Sequence, residues 1–403
     1  MKVLHTADWH IGKVLHKEPL LPELRLFFDW LIGFIEDEEV DLLLISGDVF
    51  DLANPSIRDK EFYYECILQL YNSGCKVIIT GGNHDSVGEL NAPKDILSTI
   101  NISVVGGTPD DIKDELISIY NEEKQLELIV AATPFLRDRD LRNKLSDDEH
   151  YNNRAEAIRA GIKTHYQTLG DLCLAQKSAV PVIAMGHLYA QGASASESER
   201  DIHVGNQAAV ESSIFPSVFD YVALGHIHRP QMVDLNPIIR YSGSPIPLSF
   251  SEKEDKKIIV LLEIKENEIV DISEIEIPKN RELIKISGNF SEVSSALEKY
   301  DPQYTFPSFV EIEIIEEEFS ALILSQVEEL TQLYESHEKF RILKSKTIFA
   351  NQLMDTSSLF TEGVSIEELK PMDVFNKRLE SEALDGKTIE LLQCAFLELL
   401  DTV

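Results

Sequence analysis

Five short polar clusters in this chain carry residue types suited to metal and phosphate chemistry. They are Asp8-Trp9-His10, Gly47-Asp48, Gly82-Asn83-His84-Asp85, Gly186-His187 and Gly225-His226-Ile227-His228. Asp-x-His and His-x-His put two side chains on the same side of an extended chain. The donors are nitrogen and oxygen without cysteine, which favours manganese or iron over a structural zinc. Seven candidate ligands emerge: Asp8, His10, Asp48, Asn83, His187, His226 and His228. One octahedral ion rarely takes so many, whereas two ions sharing a carboxylate would. Glycines before Asp48, Asn83, His187 and His226 permit tight turns and close approach to a ligand. A lone histidine at a strand end is ordinarily a hydrogen-bonding residue, and a lone Gly-Asp a turn. Turn chemistry does not account for five such clusters in one context.

That context is a strand end. The clusters follow Val3–Ala7, Leu42–Ser46, Val77–Gly81, Val182–Met185 and Tyr221–Leu224, all short apolar runs of buried-strand type, as is Ile129–Ala132. Between them lie amphipathic helical stretches such as Leu24–Ile35, Lys60–Tyr71 and Glu89–Ile100. The alternation predicts an α/β domain with largely parallel strands, whose carboxyl ends are where ligands bind. Ile258–Ile264 and Ile269–Ile277 read as a β-hairpin.

From Leu283 the rhythm changes to β-α-β-α-β. Leu283–Ile286, Phe309–Ile315 and Phe340–Ile348 read as strands, and Phe290–Tyr300 (capped by Ser291) and Phe319–Tyr334 as helices. Two helices are expected at the end, Ser365–Ser381 opened by a Ser365…Glu368 capping box, and Thr388–Leu400. Their apolar stripes include Ile366, Leu369, Phe375, Leu379, Leu391, Leu392, Phe396 and Leu399. The expected division is 1–278 as the metal-bearing domain, 279–350 as a small α+β domain, 351–363 as a linker and 364–403 as a helix-loop-helix.

Composition narrows the function classes. The 403 residues hold 37 Lys+Arg against 70 Asp+Glu, a net charge of −33, so polyanion binding cannot rest on a broad basic face. It would need metal ions, a few local cations or a basic partner. Arg137, Arg139 and Arg142 are one such local cluster; ion pairing with Asp138 and Asp140 is the alternative. Cys66, Cys75, Cys173 and Cys394 have no CxxC spacing and read as buried thiols in a reducing compartment. No apolar run nears the ~20 residues that span a bilayer, and Met1–Asp8 turns polar after a few residues. A soluble cytoplasmic protein is expected, with no membrane partner.

The clusters resemble the calcineurin-like, binuclear-metal phosphoesterase superfamily. The carrying stretches are His5-Thr6-Ala7-Asp8-Trp9-His10-Ile11-Gly12, Gly47-Asp48-Val49-Phe50-Asp51, Gly82-Asn83-His84-Asp85-Ser86, Gly186-His187, Ala223-Leu224-Gly225-His226-Ile227-His228 and Tyr241–Phe250. Pro134–Asp140 and Val374–Leu379 agree with the branch of DNA nucleases that work with a coiled-coil ATPase. The resemblance implies a sandwich of two β-sheets flanked by helices, with the small α+β domain as a cap and the helix pair as a partner-docking segment. It implies one metal on Asp8, His10, Asp48 and His228, and a second on Asp48, Asn83, His187 and His226, with Asp48 bridging. Manganese is the expected ion and magnesium the alternative. His84 would be catalytic and Asp85 would orient it. The implied activity is phosphodiester hydrolysis in DNA, as a 3'–5' double-strand exonuclease and a single-strand or hairpin endonuclease. It would serve DNA repair, recombination and replication, with the protein a homodimer in a heterotetramer with the ATPase.

Two other readings compete. A small-substrate phosphodiesterase or protein phosphatase could share the ligands, but the phosphatase-like Gly-Asp-x-x-Asp-Arg-Gly is absent, since Leu52 and Ala53 follow Asp51. A scaffold without metal should lack a shared ligand, and none is missing. Gly386-Lys387-Thr388 is not a phosphate-binding loop, because Ser381 stands where glycine is needed and a helical pattern precedes it. ATP dependence must therefore come from another chain.

Overall fold

The computed structural model describes residues 1–142, 154–176, 180–200, 202, 209–351 and the single positions 375, 379, 392, 393, 395 and 396. The chain divides into two compact units, Met1–Ile284 with Pro302–Phe309, and Lys285–Asp301 with Val310–Val403.

The first unit is built on two six-stranded sheets. One runs Glu268–Glu276, Ile258–Lys265, Lys2–Thr6, Leu42–Ser46, Lys76–Thr80, Ile102–Val105. Its last four strands are mutually parallel, and the Ile258–Lys265 hairpin arm is antiparallel to Lys2–Thr6 with Val3 opposite Leu262. The other runs Gln231–Val233, Asn236–Tyr241, Tyr221–Gly225, Val182–His187, Leu126–Ala132, Leu116–Tyr120. Its four middle strands are parallel and its two edges antiparallel. Leu42–Ser46, Val182–His187 and Tyr221–Gly225 have no exposed position, as strands covered on both faces require.

Side chains alternate between the two faces. Val3, Leu42, Leu44 and Ile78 of one sheet meet Val130, Ile183, Met185 and Ala223 of the other in a shared core. The opposite face of the second sheet, with Ile129, Val182, Ala184 and Val222, packs on Ile158, Ile162, Tyr166 and Leu169 of the helix Arg154–Gln176. His5 ties the two sheets together, its ring nitrogens lying 3.0 Å from Tyr221 Oη and 3.2 Å from the Leu224 carbonyl. Cys66, Cys75 and Cys173 are free and buried, as expected; Cys394 lies outside the described residues. No helix among the described residues is long and apolar enough to cross a membrane.

The two long helices of the first sheet begin in different ways. Leu21–Asp37 carries proline in its first turn, and Ile57–Asn72 opens with a reciprocal Ser56–Asp59 capping box. The expected helix Glu89–Ile100 is instead two five-residue helices, Val87–Asn91 and Lys94–Ser98. Pro93 separates them, because it has no N–H to continue the ladder and its ring crowds the preceding turn.

Most of a three-stranded sheet lies in the second unit, its strands in sequential order Leu283–Gly288, Ser308–Glu316, Phe340–Phe349, with helices Phe290–Lys299 and Ala321–Leu333 between them. The first helix is capped by Asn289, not Ser291. Asn289 Oδ1 accepts from Glu292 N and Glu292 returns a carboxylate to the Asn289 N–H, a reciprocity that Ser291 has no acid in register to make. The expected linker and most of both terminal helices lie outside the described residues. Of their apolar stripes, Phe375 and Phe396 stack with ring centroids 4.0 Å apart, and Leu379 is buried.

Candidate metal centre

All five polar clusters converge at the carboxyl ends of the central strands of the two sheets. Four predicted ligands sit in the left-handed backbone region: Asp8 (φ 54°), His10 (46°), Asp48 (48°) and His226 (98°). Such residues cost of order 1–3 kcal/mol each and persist only where their surroundings hold them. Here the loops clamp one another. Asp8 N donates to the Gly47 carbonyl at 3.1 Å, His10 N to the Asp48 carbonyl at 3.0 Å, and His226 N to Asp8 Oδ1 at 2.8 Å. Gly225 lets the sheets approach, since a Cβ there would lie 1.8 Å from the Ser46 carbonyl oxygen. At Gly47, with φ 82°, a Cβ would lie 2.3 Å from His187 Nδ1.

The donors then face each other. His10 Nε2 lies 3.1 Å from His228 Nε2. The opposite nitrogens of both rings are committed: His10 Nδ1 is 3.1 Å from Asp51 Oδ1, and His228 Nδ1 is 2.6 Å from Ser198 Oγ. With Nδ1–H donating in each case, two lone pairs point at one another. That is unfavourable unless a cation lies between them. The second half repeats the pattern. His187 Nδ1 donates to the Ser46 carbonyl at 3.0 Å, which leaves Nε2 facing Asn83 Oδ1 at 2.9 Å and Asp48 Oδ2 at 3.3 Å. His226 Nδ1 is 3.2 Å from the same Asn83 oxygen. Asp48 Oδ2 reaches both halves, being 3.6 Å from His10 Nε2.

Among the described residues three sets of donors are mutually within 4.8 Å: Asp8, His10 and His228; His10, Asp48 and His84; Asp48, His187 and His226. Asp8 Oδ2 and His226 Nε2 are buried without a hydrogen-bond partner among those residues. Converging acceptors, two orphaned donor atoms and an N/O set without thiolate fit hard or borderline divalent ions. The seven residues expected as ligands are therefore brought together by the fold.

Burial and mutual charge shift the ionisable groups of the pocket in different directions. Burial pushes the Asp8 carboxyl up to about 7, with Asp48 adding to the rise. Burial also works against Asp48, yet His187 and His10 hold it well below the carboxylate range. For His187 burial is outweighed by Asp48 and Asp8, which lift it to about 9. His226 is held well below the usual imidazole value by burial and by His187. Burial takes His84 down to about 4.

His84 and Asp85 differ from expectation in their partners. Asp85 does not orient His84. Its carboxylate accepts Val49 N at 3.1 Å, Phe50 N at 2.9 Å and Gly82 N at 2.8 Å, so it staples the Asp48 loop to the Asn83 loop. Burial and Asp48 push its carboxyl up to about 6 despite those three donors. The His84 ring is held by the Asp51 carbonyl, 2.7 Å from Nδ1, and packs edge-on to His10 with centroids 4.7 Å apart. Asp51 thus serves both His10 and His84, and Lys13 Nζ joins it at 3.2 Å. Sequence reasoning gave Asp51 no role, although its place in Gly47-Asp48-Val49-Phe50-Asp51 was the available signal. It also missed Ser198, Glu199 and Glu252 around His228, for which no local motif exists.

The arginine cluster separates. Arg137 donates to the Asp85 carbonyl at 3.2 Å, beside the site loop, whereas Arg139 is exposed and lies 3.5 Å from Asp140. The side chain of Arg142 lies outside the described residues.

Comparison with known proteins decides the family. Residues 1–230 match the calcineurin-like phosphoesterases. The chain belongs to that family. The motif resemblance and the expected α/β phosphoesterase fold are both borne out, and the ligand clusters lie in this phosphoesterase region. Residues 279–383 match the type 5 capsule protein repressor C-terminal domain. The phosphoesterase is similar over its whole length to two proteins named as the SbcD subunit of the nuclease SbcCD. That of Escherichia coli K12 is 30% identical over 412 residues, covering 100% of this chain and 98% of the relative. That of Bacillus subtilis 168 is 29% identical over 416 residues, with the same coverage. The protein of that name from Rhodobacter capsulatus is 36% identical over 261 residues, covering 62% of this chain and 64% of its own.

Proposed function

We propose that this phosphoesterase is a metal-dependent DNA nuclease, the SbcD subunit of an ATP-dependent complex with the SbcC coiled-coil ATPase. The observation that carries the metal reading is the pair of imidazole nitrogens of His10 and His228, 3.1 Å apart and each backed on its far side by a hydrogen-bond acceptor. The nuclease reading is supported by full-length similarity to relatives named as nuclease subunits. Asp8, His10, Asp48 and His228 would hold one divalent ion, and Asp48, Asn83, His187 and His226 the other. Manganese is the proposed ion, with magnesium as the alternative. Bound ions of this kind acidify water and neutralise phosphate charge, which answers the −33 net charge of the chain.

The chain's own residues do the rest. Asp48 is shared because its two oxygens face different groups: Oδ1 accepts His84 N at 2.9 Å, and Oδ2 looks toward His10 and His187. His84, with Nδ1 committed to Asp51, has Nε2 for the substrate, where it would stabilise developing phosphoryl charge or hand a proton to the leaving sugar oxygen. Asp85 acts by fixing the two loops. Arg137, which donates to the Asp85 carbonyl beside the site loop, would meet a DNA phosphate.

The proposed substrates are double-stranded ends, cut as a 3'–5' exonuclease, and single strands or hairpins, cut internally, in repair, recombination and replication. Residues 1–278 would form the nuclease domain, 279–350 the cap, 351–363 a linker and 364–403 the segment that docks SbcC. A homodimer within a heterotetramer is supported by the exposed Ile57, Tyr64, Leu68 and Tyr71 along one helix and the exposed Ile96 on the helix Lys94–Ser98. The compartment would be the cytoplasm.

Cleavage of labelled duplex and hairpin DNA in manganese, with and without the ATPase and ATP, tests the function. Hydrolysis of small phosphate esters without cleavage of any DNA would favour the small-substrate reading.

A further inference from the structure

Behind His228 lies a buried polar chain that the reaction above does not use. His228 Nδ1 is 2.6 Å from Ser198 Oγ, and Ser198 Oγ is 2.5 Å from Glu252 Oε1. Glu252 is fully buried, and its second oxygen accepts Lys257 Nζ at 2.6 Å and Leu248 N at 3.2 Å. Lys257 is buried too, and it also donates to the His228 carbonyl at 2.9 Å and to Ser244 Oγ at 3.0 Å. Glu199 Oε1 accepts the His228 backbone N–H at 2.9 Å, while the Ser196 hydroxyl donates to Glu199 Oε2 at 2.6 Å.

The donors and acceptors sort in one direction. A carboxylate paired with a buried ammonium only accepts. The single Ser198 hydroxyl hydrogen therefore goes to Glu252, and Ser198 Oγ accepts from Nδ1–H of His228. Nε2 is left as a lone pair on the side where His10 Nε2 stands, 3.1 Å away.

The two halves of the centre differ in this respect. Carboxylate charge reaches His10 directly through Asp51 and His228 through Ser198 and Glu252. His187 Nδ1 donates to the neutral Ser46 carbonyl, with the Asp8 carboxylate farther off at 3.8 Å, and His226 Nε2 has no partner among the described residues. An anionic partner behind an imidazole fixes its tautomer and raises its basicity as a ligand.

We propose that Glu252, acting through Ser198, is a positioning residue for His228, and that this relay makes the half-site of His10 and His228 the tighter of the two cation sites. The inference rests on the two-cation reading of the centre.

Calorimetric titration of the full-length metal-free chain with manganese chloride tests it. The wild-type chain should take up two ions in a tight and a weak phase. Ser198→Ala keeps the Glu252–Lys257 ion pair and removes the link, together with the 2.7 Å contact between the Ser198 and Ser196 hydroxyls. It should weaken the tight phase by about 10–100-fold, the usual cost of losing an outer partner of a ligand, and leave the weak phase unchanged. Ser198→Thr restores a hydroxyl and should restore the tight phase. Wild-type affinities in Ser198→Ala, equal weakening of both phases, no rescue by threonine, or two equal sites in the wild type would each overturn the relay. A wild-type chain that binds no manganese would overturn the two-cation reading instead.

Discussion

Replacing His84 by glutamine separates chemistry from metal binding. The ring is not tied to the Asn83, His187 and His226 group; it lies against His10, with centroids 4.7 Å apart, and Nδ1 donates to the Asp51 carbonyl at 2.7 Å. The main-chain contact that matters for Asp48, His84 N to Oδ1 at 2.9 Å, survives any side-chain change. A glutamine amide can replace the bond to Asp51 but cannot deliver a proton or carry positive charge. General acid–base catalysis contributes about 10²–10⁴-fold, or about 2.7–5.4 kcal/mol on the barrier at about 1.36 kcal/mol per tenfold. The predicted variant keeps its manganese and its affinity for duplex DNA but cleaves about 10²–10⁴-fold more slowly in single turnover. Metal content by elemental analysis, binding by fluorescence anisotropy and cleavage of end-labelled duplex give the three readings. Near-normal cleavage would refute the role of His84. Loss of metal would make His84 a ligand, a competing assignment that its grouping with His10 and Asp48 makes concrete.

Other substitutions probe the frame. Gly225→Ala puts a methyl 1.8 Å from the Ser46 carbonyl and 3.0 Å from His187 Nδ1. It should cost at least the ~1–3 kcal/mol of ordinary overpacking, lower Tm and reduce metal content; unchanged thermal denaturation and full metal loading would show that the sheets approach less closely than described. Truncation after about residue 355 should leave a folded, metal-loaded chain that no longer co-purifies with the ATPase and gains nothing from ATP. Aggregation of the truncated chain would make the helices part of its core, and normal ATPase binding would move the docking surface elsewhere. Leu68→Glu on the exposed helix face should convert a dimer to a monomer by light scattering; an unchanged mass would remove that face from the interface.

The proposed ligands were legible because their signal is local. Each follows an apolar run of strand length, and glycine precedes four of them, so spacing and residue type sufficed to single out Asp8, His10, Asp48, Asn83, His187, His226 and His228 as the proposed ligands. The outer partners were hidden because they are remote in sequence. Ser198 is 30 residues from His228, and Glu252 is 54 residues from Ser198. Neither lies in a motif, and only the folded sheets bring them together. Asp85 shows a related limit. Its adjacency to His84 suggested an orienting role, yet left-handed Asp48 turns the following backbone N–H groups of Val49 and Phe50 toward it instead. At the level of elements, Pro93 within Glu89–Ile100 was a break that an apolar stripe obscured, and the Asn289–Glu292 box outcompeted Ser291 by one reciprocal bond.

The central claim is that Asp48 joins two cation sites at the meeting of the sheets. It is tested most directly by elemental analysis of manganese-loaded, extensively dialysed wild-type protein beside Asp48→Ala. Two manganese ions per wild-type chain, and at most one in the variant with its fold intact by circular dichroism, is the predicted result. Equal metal content in the two proteins would contradict the bridging assignment and the reaction built on it.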